Sequence, residues 1–287
     1  MLPVTEVLSA MENLFTAVVN KDMAWEMTHF HFHDPYEILF VTRGTCTFLL
    51  ESEMIRATRG TVLLIRSGLL HMSTSLPDEE YVRYIINFNP TALRDYSGRE
   101  TDLLEAFQKD HHAIFLNDAE TEEMEGLFRI CENKTRSFGS DLRRNMAFLE
   151  LLIRLGEFSR EGRFTSLEME SEAARNYRRV KPIISYILEN PTYSLSLEEV
   201  AEKFFYNKHY LCRIFKTATG ISVGKYITSV RIQYAAQFLR QGHSVQESGE
   251  MAGFKNNSNF ISTFRKVMEV SPGQYRQRYR QNFDPKL

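Results

Sequence analysis

The chain has 287 residues, a length that suits two ordinary domains, each with its own core. Its composition, 43% hydrophobic and 25% charged, is that of a soluble globular protein, and no stretch approaches the roughly 18 consecutive apolar residues of a membrane helix. Acidic residues interrupt the N-terminal apolar positions, which argues against a signal peptide. The three cysteines, Cys46, Cys131 and Cys212, are too few and too scattered for a disulfide framework or a zinc cluster, so we expect a cytoplasmic location.

Charge is distributed unevenly along the chain. Residues 175–287 contain 18 Lys and Arg against 8 Asp and Glu, a net charge of +10, whereas residues 1–174 contain 17 against 29, a net charge of −12. A basic half beside an acidic half indicates nucleic-acid binding by the basic half. Chance segregation of solvated charge is the alternative that charge alone leaves open.

The N-terminal half has the pattern of short β-strands. Val, Ile, Leu, Phe and Thr dominate the runs Tyr36–Thr42, Cys46–Leu50, Gly60–Ile65 and Val82–Phe88, and glycines and prolines separate these runs. Many short strands with regular turns predict a sandwich or a small barrel.

Potential ligand side chains cluster within these strands. His31 and His33 precede Glu37, a six-residue strand and Gly44, in the spacing HxH-x3-E-x6-G, and His71 follows later. Alternation along a strand sends His31 and His33 to the same face. Three imidazoles and a carboxylate suit Zn, Fe, Mn, Ni or Cu, and the same groups can hydrogen-bond a sugar or carboxylate effector. The alternative is that these side chains satisfy only local backbone groups.

Both histidine-containing stretches resemble the two motifs of the cupin β-barrel, although Arg66 replaces a typical proline and Trp25 stands where the first motif often begins with glycine. In metal-binding cupins these motif positions ligate the metal. The positions carried over to this chain are His31, His33, Glu37 and His71. The resemblance implies an effector pocket, with a divalent metal as the alternative occupant, and Tyr36 and Trp25 are candidates for a stacking wall beside a sugar ring.

Residues 100–160 change to a helical period. The apolar residues that fall largely on one helical face are Leu142, Met146, Leu149, Leu152, Ile153 and Leu155. This pattern predicts a helical connector that packs on the barrel, on a second subunit or on both. The charged segment Arg163–Arg179 then predicts a linker between domains.

The C-terminal half begins its first helix pair at a capping box. The Ser196 side chain satisfies a free backbone N–H, and Glu199 reaches back to the cap. Asn207 is a good N-cap for the next helix, and Gly220 fits its C-terminal end. The residues left outward at this second helix are Asn207, Lys208, His209, Cys212, Arg213 and Lys216. A helix-turn-helix whose second helix exposes basic and polar residues has the geometry that enters a major groove of DNA.

The same pattern occurs a second time. Ser244 and Glu247 form another capping box, and Asn256 caps the helix that follows. The outward residues there are Asn256, Asn257, Ser258, Ser262 and Arg265. After their turns, each residue of the first unit aligns with the residue 49 positions later in the second unit, so that Phe215 matches Phe264. A helical bundle that binds other proteins is the alternative reading, but the repeat and the positive charge together favour DNA binding.

A long amphipathic helix is predicted over Val223–Arg240, between the two units, where it can hold the two readers at a fixed separation. Residues Val180 to Arg280 as a whole resemble the AraC/XylS family of bacterial transcription regulators. The residues that carry the resemblance are Gly253-Phe254, Phe260, Phe264-Arg265-Lys266, Ser271-Pro272 and Tyr275-Arg276. The resemblance implies that both second helices enter neighbouring major grooves on one DNA face, and that the barrel binds a small effector, commonly without metal.

Three residues depart from that family's pattern. Ser248 and Gly249 stand where the family usually has an apolar residue and Ala, and Glu269 stands where a helix-ending Gly is typical. A helix-interior glycine costs about 1 kcal/mol relative to Ala, and a positive φ is unfavourable for Glu. We therefore expect a second unit that is softer, or that settles fully only on DNA.

Together these features predict an α+β multidomain protein. Its expected parts are a cupin-like effector-binding and dimerisation domain over 1–165 (barrel about 20–95, helices about 100–160), a linker over 166–179, and an all-α DNA-binding domain of two helix-turn-helix units over 180–287. We expect a sequence-specific transcription regulator and activator that acts as a homodimer on double-stranded DNA under the control of a small-molecule effector. It is expected to need no cofactor, to contact no membrane and to have no catalytic activity, with RNA polymerase as a candidate further partner.

Two other hypotheses remain open at this point. A metal-dependent cupin enzyme, an oxygenase or isomerase fused to a DNA-binding tail, would use the three histidines and Glu37 as its metal site. A constitutive architectural protein would show no response to ligand and little discrimination between DNA sequences.

Overall fold

The computed structural model describes residues 14–27, 30–50, 53–98, 100–164, 172–190 and 195–281. The strands among them are β1 (Phe15–Met23), β2 (Tyr36–Arg43), β3 (Cys46–Leu50), β4 (Glu53–Ala57), β5 (Thr61–Ile65), β6 (His71–Ser75), β7 (Glu80–Phe88) and β8 (Ala113–Phe115). They form two antiparallel sheets, one in the order β1-β7-β2-β5-β8 and the other in the order β4-β3-β6. This β-rich arrangement confirms the cupin-like fold class.

Alternation along the strands separates an interior from an outer face. Tyr81 of β7 lies between the two sheets in one apolar cluster with Leu39 and Phe48. Ile86 and Phe88 of the same strand lie in a different cluster, on the outer face of the five-stranded sheet. Because both faces are covered, these strands are apolar nearly throughout, and a polar residue in the interior row stands out.

Helices cover the outer face of the five-stranded sheet. The elements after β7 are 3₁₀ turns at Pro90–Tyr96 and Glu105–Gln108, and the helices α1 (Asp118–Glu132) and α2 (Ser140–Arg160). Phe128 of α1 stacks on Phe40 with 4.9 Å between ring centroids, and Phe148 of α2 lies 5.2 Å from Phe88. The aromatic contacts fix both helices on the barrel.

The helix α2 is apolar on two sides. Leu152 and Leu155 are buried against the sheet, whereas Leu142 and Met146 are each 61% exposed and Ile153 is 38% exposed. The predicted apolar stripe therefore divides into a face that packs on the chain's own barrel and a face that lies on the surface.

The C-terminal half is helical. Its elements are α3 (Glu172–Glu189), α4 (Leu197–Lys203), α5 (Lys208–Thr219), α6 (Val223–Arg240), α7 (Val245–Met251), α8 (Asn257–Met268) and α9 (Pro272–Gln281). The helix α3 begins inside the stretch predicted as a linker, and residues 165–171 of that stretch lie outside the described residues. Within the described ranges, no helix is long and apolar enough to cross a membrane.

The predicted helix starts are confirmed. Capping boxes join Ser196 with Glu199 and Ser244 with Glu247, each with side-chain bonds to the backbone in both directions. The Asn207 side chain caps α5 by accepting the N–H of Tyr210, and α8 begins in the same way. Local satisfaction of backbone N–H groups thus sets where the two helix-turn-helix units begin.

The helix ends also follow the prediction. Gly220 ends α5 in the left-handed conformation at φ 77°, and Glu269 ends α8 in that conformation at φ 60°. A side chain with a Cβ is unfavourable there, so Glu269 places strain at the end of α8.

The two halves of the molecule lie against each other. Phe30, Phe32, Leu70 and Met72 of the barrel belong to the same buried apolar cluster as the core of α3 to α9. The position of the C-terminal half is therefore set in part by the N-terminal half.

Candidate nucleic-acid interface and sensor barrel

The first face predicted to read DNA, called the first reading face, lies on α5, the second helix of the first helix-turn-helix. Leu211 and Phe215 are fully buried on one side of α5, which turns the opposite side to solvent. The predicted contact residues there are Asn207, Lys208, His209, Arg213 and Lys216, all exposed, and Cys212, which is half-buried. Lys208 forms an ion pair with Glu198 of α4. The side of α5 that faces solvent is therefore basic and polar.

The second face predicted to read DNA, called the second reading face, lies on α8. Phe260 and Phe264 are fully buried on its inner side. The predicted contact residues Asn256, Asn257, Ser258, Ser262 and Arg265 are all exposed. The Ser262 hydroxyl donates to the Asn259 carbonyl at 3.0 Å, which holds one of these side chains close to the helix.

The turns of the two units differ in length. Four residues separate α4 from α5, whereas five residues separate α7 from α8. Each turn passes through the left-handed region, at Phe205 with φ 57° in the first unit and at Gly253 with φ 84° in the second. The turn before the reading helix is therefore one residue longer in the second unit than in the first.

Gly249 of α7 packs directly on the second reading helix. A Cβ built on Gly249 would lie 2.6 Å from Cδ1 and 2.9 Å from Cγ of Phe260, closer than side-chain atoms pack. The Phe260 ring is itself held 5.2 Å from the ring of Phe254 and 5.6 Å from the ring of Phe264. The glycine predicted to soften the second unit thus makes room for the aromatic ring that anchors α8.

The barrel brings the predicted ligand residues together. His31 pairs with His71 of β6 through two backbone hydrogen bonds of 3.0 Å. Ring nitrogens of His31, His33 and His71 lie within 4.8 Å of one another. Glu37 of β2 joins this cluster through His33, because the His33 Nε2 atom lies 3.2 Å from Glu37 Oε2. The set can hydrogen-bond a polar ligand or hold a metal ion.

Backbone carbonyls orient two of these imidazoles. Nδ1 of His33 donates to the Pro35 carbonyl at 2.7 Å, and Nδ1 of His71 donates to the Leu69 carbonyl at 2.8 Å. The Nε2 atom of His71 has no hydrogen-bond partner among the described residues. Burial, with the charge of His33, lowers the pKa of His71 to about 4, so this imidazole is neutral and its Nε2 lone pair is available to a ligand or metal.

His33 and Glu37 form a buried charge pair. Burial lowers the pKa of His33, but the hydrogen bond and the charge of Glu37 outweigh it and raise the pKa above its ordinary value. Burial raises the pKa of Glu37, but the hydrogen bond and the charge of His33 outweigh it and lower the pKa. Both shifts favour an ion pair of protonated His33 with ionised Glu37, and a metal bound at that nitrogen would have to displace the proton.

Arg83 is a functional candidate that sequence reasoning missed. It is only 2% exposed, bonds Asp22 at 2.6 Å, and holds its guanidinium carbon 4.3 Å from the centre of the Trp25 ring and 4.7 Å from that of Tyr81. Trp25 Nε1 in turn donates to Ser73 Oγ at 2.9 Å. The sequence signal for it is its position in β7. Arg83 follows Tyr81 by two residues, so its side chain points to the same interior face of the strand.

Tyr36 does not line the barrel interior. It lies on the opposite face of β2 from Glu37, where its ring is 5.7 Å from Phe88 and 5.1 Å from Phe107. Because neighbouring residues on a strand point to opposite faces, Tyr36 contributes to the core beneath the helices. Of the two aromatic residues predicted to form a stacking wall, Trp25 alone packs against the interior cluster.

The chain is similar in sequence to several regulators. The Melibiose operon regulatory protein of Escherichia coli (strain K12) is 26% identical over 266 residues, which cover 88% of this chain and 86% of that protein. The HTH-type transcriptional activator RhaS of Salmonella schwarzengrund is 26% identical over 252 residues, 86% of this chain and 87% of that protein. The uncharacterized HTH-type transcriptional regulator YtdP of Bacillus subtilis is 34% identical over 115 residues, and the chain spans only 15% of its length.

Two solved structures and two family profiles complete the comparison. An apo ToxT variant from Vibrio cholerae matches with a TM-score of 0.43 and 16% identity over 92% of this chain and 97% of that chain. The C-terminal domain of AraT from Geobacillus stearothermophilus matches with a TM-score of 0.33 and 33% identity over 38% of this chain and 88% of that chain. The profile of a helix-turn-helix domain matches residues 200–278. Because the profile of the AraC-like ligand binding domain matches residues 15–175, more than half of the sequence, the chain belongs to the AraC/XylS family of transcription regulators.

Proposed function

We propose that this regulator reads two adjacent major grooves of duplex DNA with α5 and α8, under the control of a small neutral sugar bound in the barrel. The proposed DNA contacts are Asn207, Lys208, His209, Cys212, Arg213, Lys216, Asn256, Asn257, Ser258, Ser262 and Arg265. The observation that carries this proposal is that two helices at equivalent positions of the repeated unit each bury one side and turn a polar or basic side to solvent.

Some of these side chains are suited to contact phosphates and others to contact base edges. Lys208 and Lys216 supply phosphate contacts, which give affinity through counterion release. Arg213 and Arg265 suit guanine, and Asn257 suits adenine. Selection of bound fragments from a genomic DNA library at two salt concentrations tests the proposal. Enrichment of a site with two half-elements about one helical turn apart, weakening steeply with salt, is expected; retention without sequence enrichment would contradict it.

A neutral effector is favoured by the charge balance of the barrel interior. Arg83 is compensated by Asp22 and His33 by Glu37, so the buried charges occur in pairs. Hydroxyl groups of a sugar can satisfy His71 and the neighbouring polar groups without adding a charge, and Trp25 offers an aromatic surface beside them. The name of the relative that regulates the melibiose operon supports the same class of ligand. The proposed contacts are Trp25, His31, His33, Glu37, His71 and Arg83.

Fluorescence tests the effector proposal directly, because Trp25 is the only tryptophan in the chain. Titration with melibiose and other neutral mono- and disaccharides is expected to give a saturable change in emission, and His71→Asn is expected to weaken it at least tenfold. Sugar acids, with an added carboxylate, are the matched comparison. A response to the acids alone would contradict the neutral class.

A metal-dependent enzyme fused to a DNA-binding domain is the second candidate. The specific observation in its favour is the convergence of His31, His33 and His71 within 4.8 Å. Elemental analysis of the purified protein, with His71→Asn as the control, tests for a bound divalent ion. A stoichiometric ion that disappears in the variant, together with turnover of a substrate, would favour this candidate over a regulator that needs no cofactor.

A homodimer formed through α2 completes the proposal. Leu142, Met146 and Ile153 lie exposed on one side of this helix, and a groove of about 520 Å³ between Leu149, Ile153 and Leu103 adjoins them. A second copy of α2 would cover this apolar surface. We further propose that the dimer acts in the cytoplasm as an activator, with RNA polymerase as its partner at the promoter.

A further inference from the structure

One large apolar side chain interrupts the polar outward side of α8. Ile261 is 37% exposed, whereas Phe260 and Phe264 of the same helix are fully buried. Because residues four apart on a helix are neighbours, the exposed residues Asn257, Ile261 and Arg265 form one ridge along the surface of α8. Ile261 therefore lies between two side chains that are proposed to contact base edges.

This ridge has a counterpart on the first reading helix, α5. At the separation of 49 positions between the two units, Lys208, Cys212 and Lys216 match Asn257, Ile261 and Arg265. The central position of both ridges thus carries no charge, amide or hydroxyl group. Cys212 is half-buried and has a shorter side chain than isoleucine, so the apolar surface presented outward is larger on α8 than on α5.

Some polar groups at α8 are already hydrogen-bonded to the helix itself. Oδ1 of Asn256 accepts the N–H of Asn259 at 3.0 Å, and the Ser262 hydroxyl donates to the Asn259 carbonyl at 3.0 Å. The Thr263 hydroxyl donates to Oδ1 of Asn259 at 3.4 Å. These bonds narrow the base patterns that Asn256 and Ser262 can read, which gives an apolar contact on the same helix more weight in recognition.

The part of α8 that carries Ile261 is firmly held. The neighbouring Phe260 ring lies 5.2 Å from the ring of Phe254 and 5.6 Å from the ring of Phe264, and Gly249 packs directly against it. Isoleucine is branched at Cβ and has one strongly preferred χ1 rotamer in a helix. The Ile261 side chain can therefore meet a partner with little loss of conformational entropy.

The major groove of DNA presents one apolar group on its base edges, the C5-methyl group of thymine. An isoleucine side chain can remove this methyl group from water, and it offers no hydrogen bond to the edge of any other base. Burial of one such group changes affinity by about fourfold at the usual transfer free energy of a methylene. A contact of this size is sufficient to select thymine at one position.

We propose that Ile261 is a specificity-determining residue of the second reading helix and that it recognises the C5-methyl group of one thymine in the DNA target. The proposal rests on the DNA-reading function proposed above. It adds thymine to the guanine and adenine that suit Arg265 and Asn257 on the same ridge. Because Cys212 presents less apolar surface at the matching position, the requirement for this methyl group falls on the half-element that α8 reads.

Removal of the methyl group from the DNA tests the contact without any change to the protein. In a duplex that carries the site selected by the wild-type chain, each thymine is replaced singly by deoxyuridine, which lacks only the C5-methyl group. Affinities are measured for full-length wild type, Ile261→Ala and Ile261→Val. Ile130→Ala is the matched control, because Ile130 of α1 is an isoleucine that is 45% exposed.

One such replacement, in a single half-element, is expected to weaken binding of the wild type and of Ile130→Ala about fourfold. Ile261→Ala is expected to bind the unmodified site more weakly and to lose its dependence on that methyl group, whereas Ile261→Val retains the dependence. The proposal is overturned if no methyl group affects wild-type binding, or if Ile261→Ala depends on the same methyl group as strongly as the wild type. Failure to select any site would overturn the DNA-reading function itself, and the role of Ile261 with it.

Discussion

Replacement of Gly249 by alanine separates helix propensity from packing in the second helix-turn-helix unit. Alanine is favoured over glycine in a helix interior by about 1 kcal/mol. The added methyl group, however, would lie 2.6 Å from the ring of Phe260, which is fully buried between Phe254 and Phe264. Overpacking such a core costs about 1–3 kcal/mol. We therefore expect Gly249→Ala to lower the free energy of unfolding by about 1 kcal/mol net.

Urea unfolding of the full chain, followed by circular dichroism, measures this change. Gly224→Ala is the matched control, because Gly224 lies in α6 and a Cβ there meets nothing within 4 Å. The control is expected to gain up to about 1 kcal/mol, so the two variants should shift in opposite directions. A gain in stability for Gly249→Ala equal to that of the control would refute the packing argument, since the Phe260 ring would then move aside without a cost in free energy.

Three further predictions concern the cap, the reading face and the subunit contact. Ser196→Ala removes half of a capping box and is expected to lower the stability of the first unit by about 1 kcal/mol; an unchanged urea midpoint would contradict it. Arg213→Ala is expected to cost about 1–3 kcal/mol of DNA-binding free energy and to relax selectivity at one base pair. Lys216→Ala is expected to weaken binding to all sequences and to lower the slope of log affinity against log salt concentration by about 1. Titrations on the selected site and its single-base variants distinguish these outcomes, and a uniform loss of affinity in both variants would contradict the assignment. Met146→Glu is expected to convert the proposed dimer to a folded monomer in analytical ultracentrifugation, and a persistent dimer would assign the subunit contact to another surface.

Elements with a local cause could be predicted closely from the sequence. The capping boxes at Ser196 and Ser244 and the strand Cys46–Leu50 agree with the structure, because caps and turns depend on neighbouring residues. The first strand, Phe15–Met23, was missed. Its apolar pattern is weak toward its end, and it is held by pairing with β7, so that Phe15 lies opposite Phe88.

In the candidate sites, too, local features could be predicted from the sequence and long-range contacts could not. Motif spacing was sufficient to bring the three histidines together, but not to tell which face of β2 the helices cover, and this placed Tyr36 in the wrong layer. The ion pair of Asp34, beside the histidine cluster, with Arg240 of α6 joins residues 206 positions apart, and no periodicity relates them. A charged residue beside a ligand motif is a local signal, whereas its partner depends on how the two halves of the chain pack together.

The unequal turns of the two helix-turn-helix units bear on how the chain sits on a chromosome. One chain presents two unlike readers in tandem, with four residues in one turn and five in the other, and so has no internal two-fold axis. With the proposed reading by α5 and α8, the half-site of each chain therefore has a polarity: the same bases in reverse order would meet the readers in the wrong sequence. A single chain bound beside a gene points its sensor either upstream or downstream, and inverting the site without moving it would turn the sensor away from the promoter.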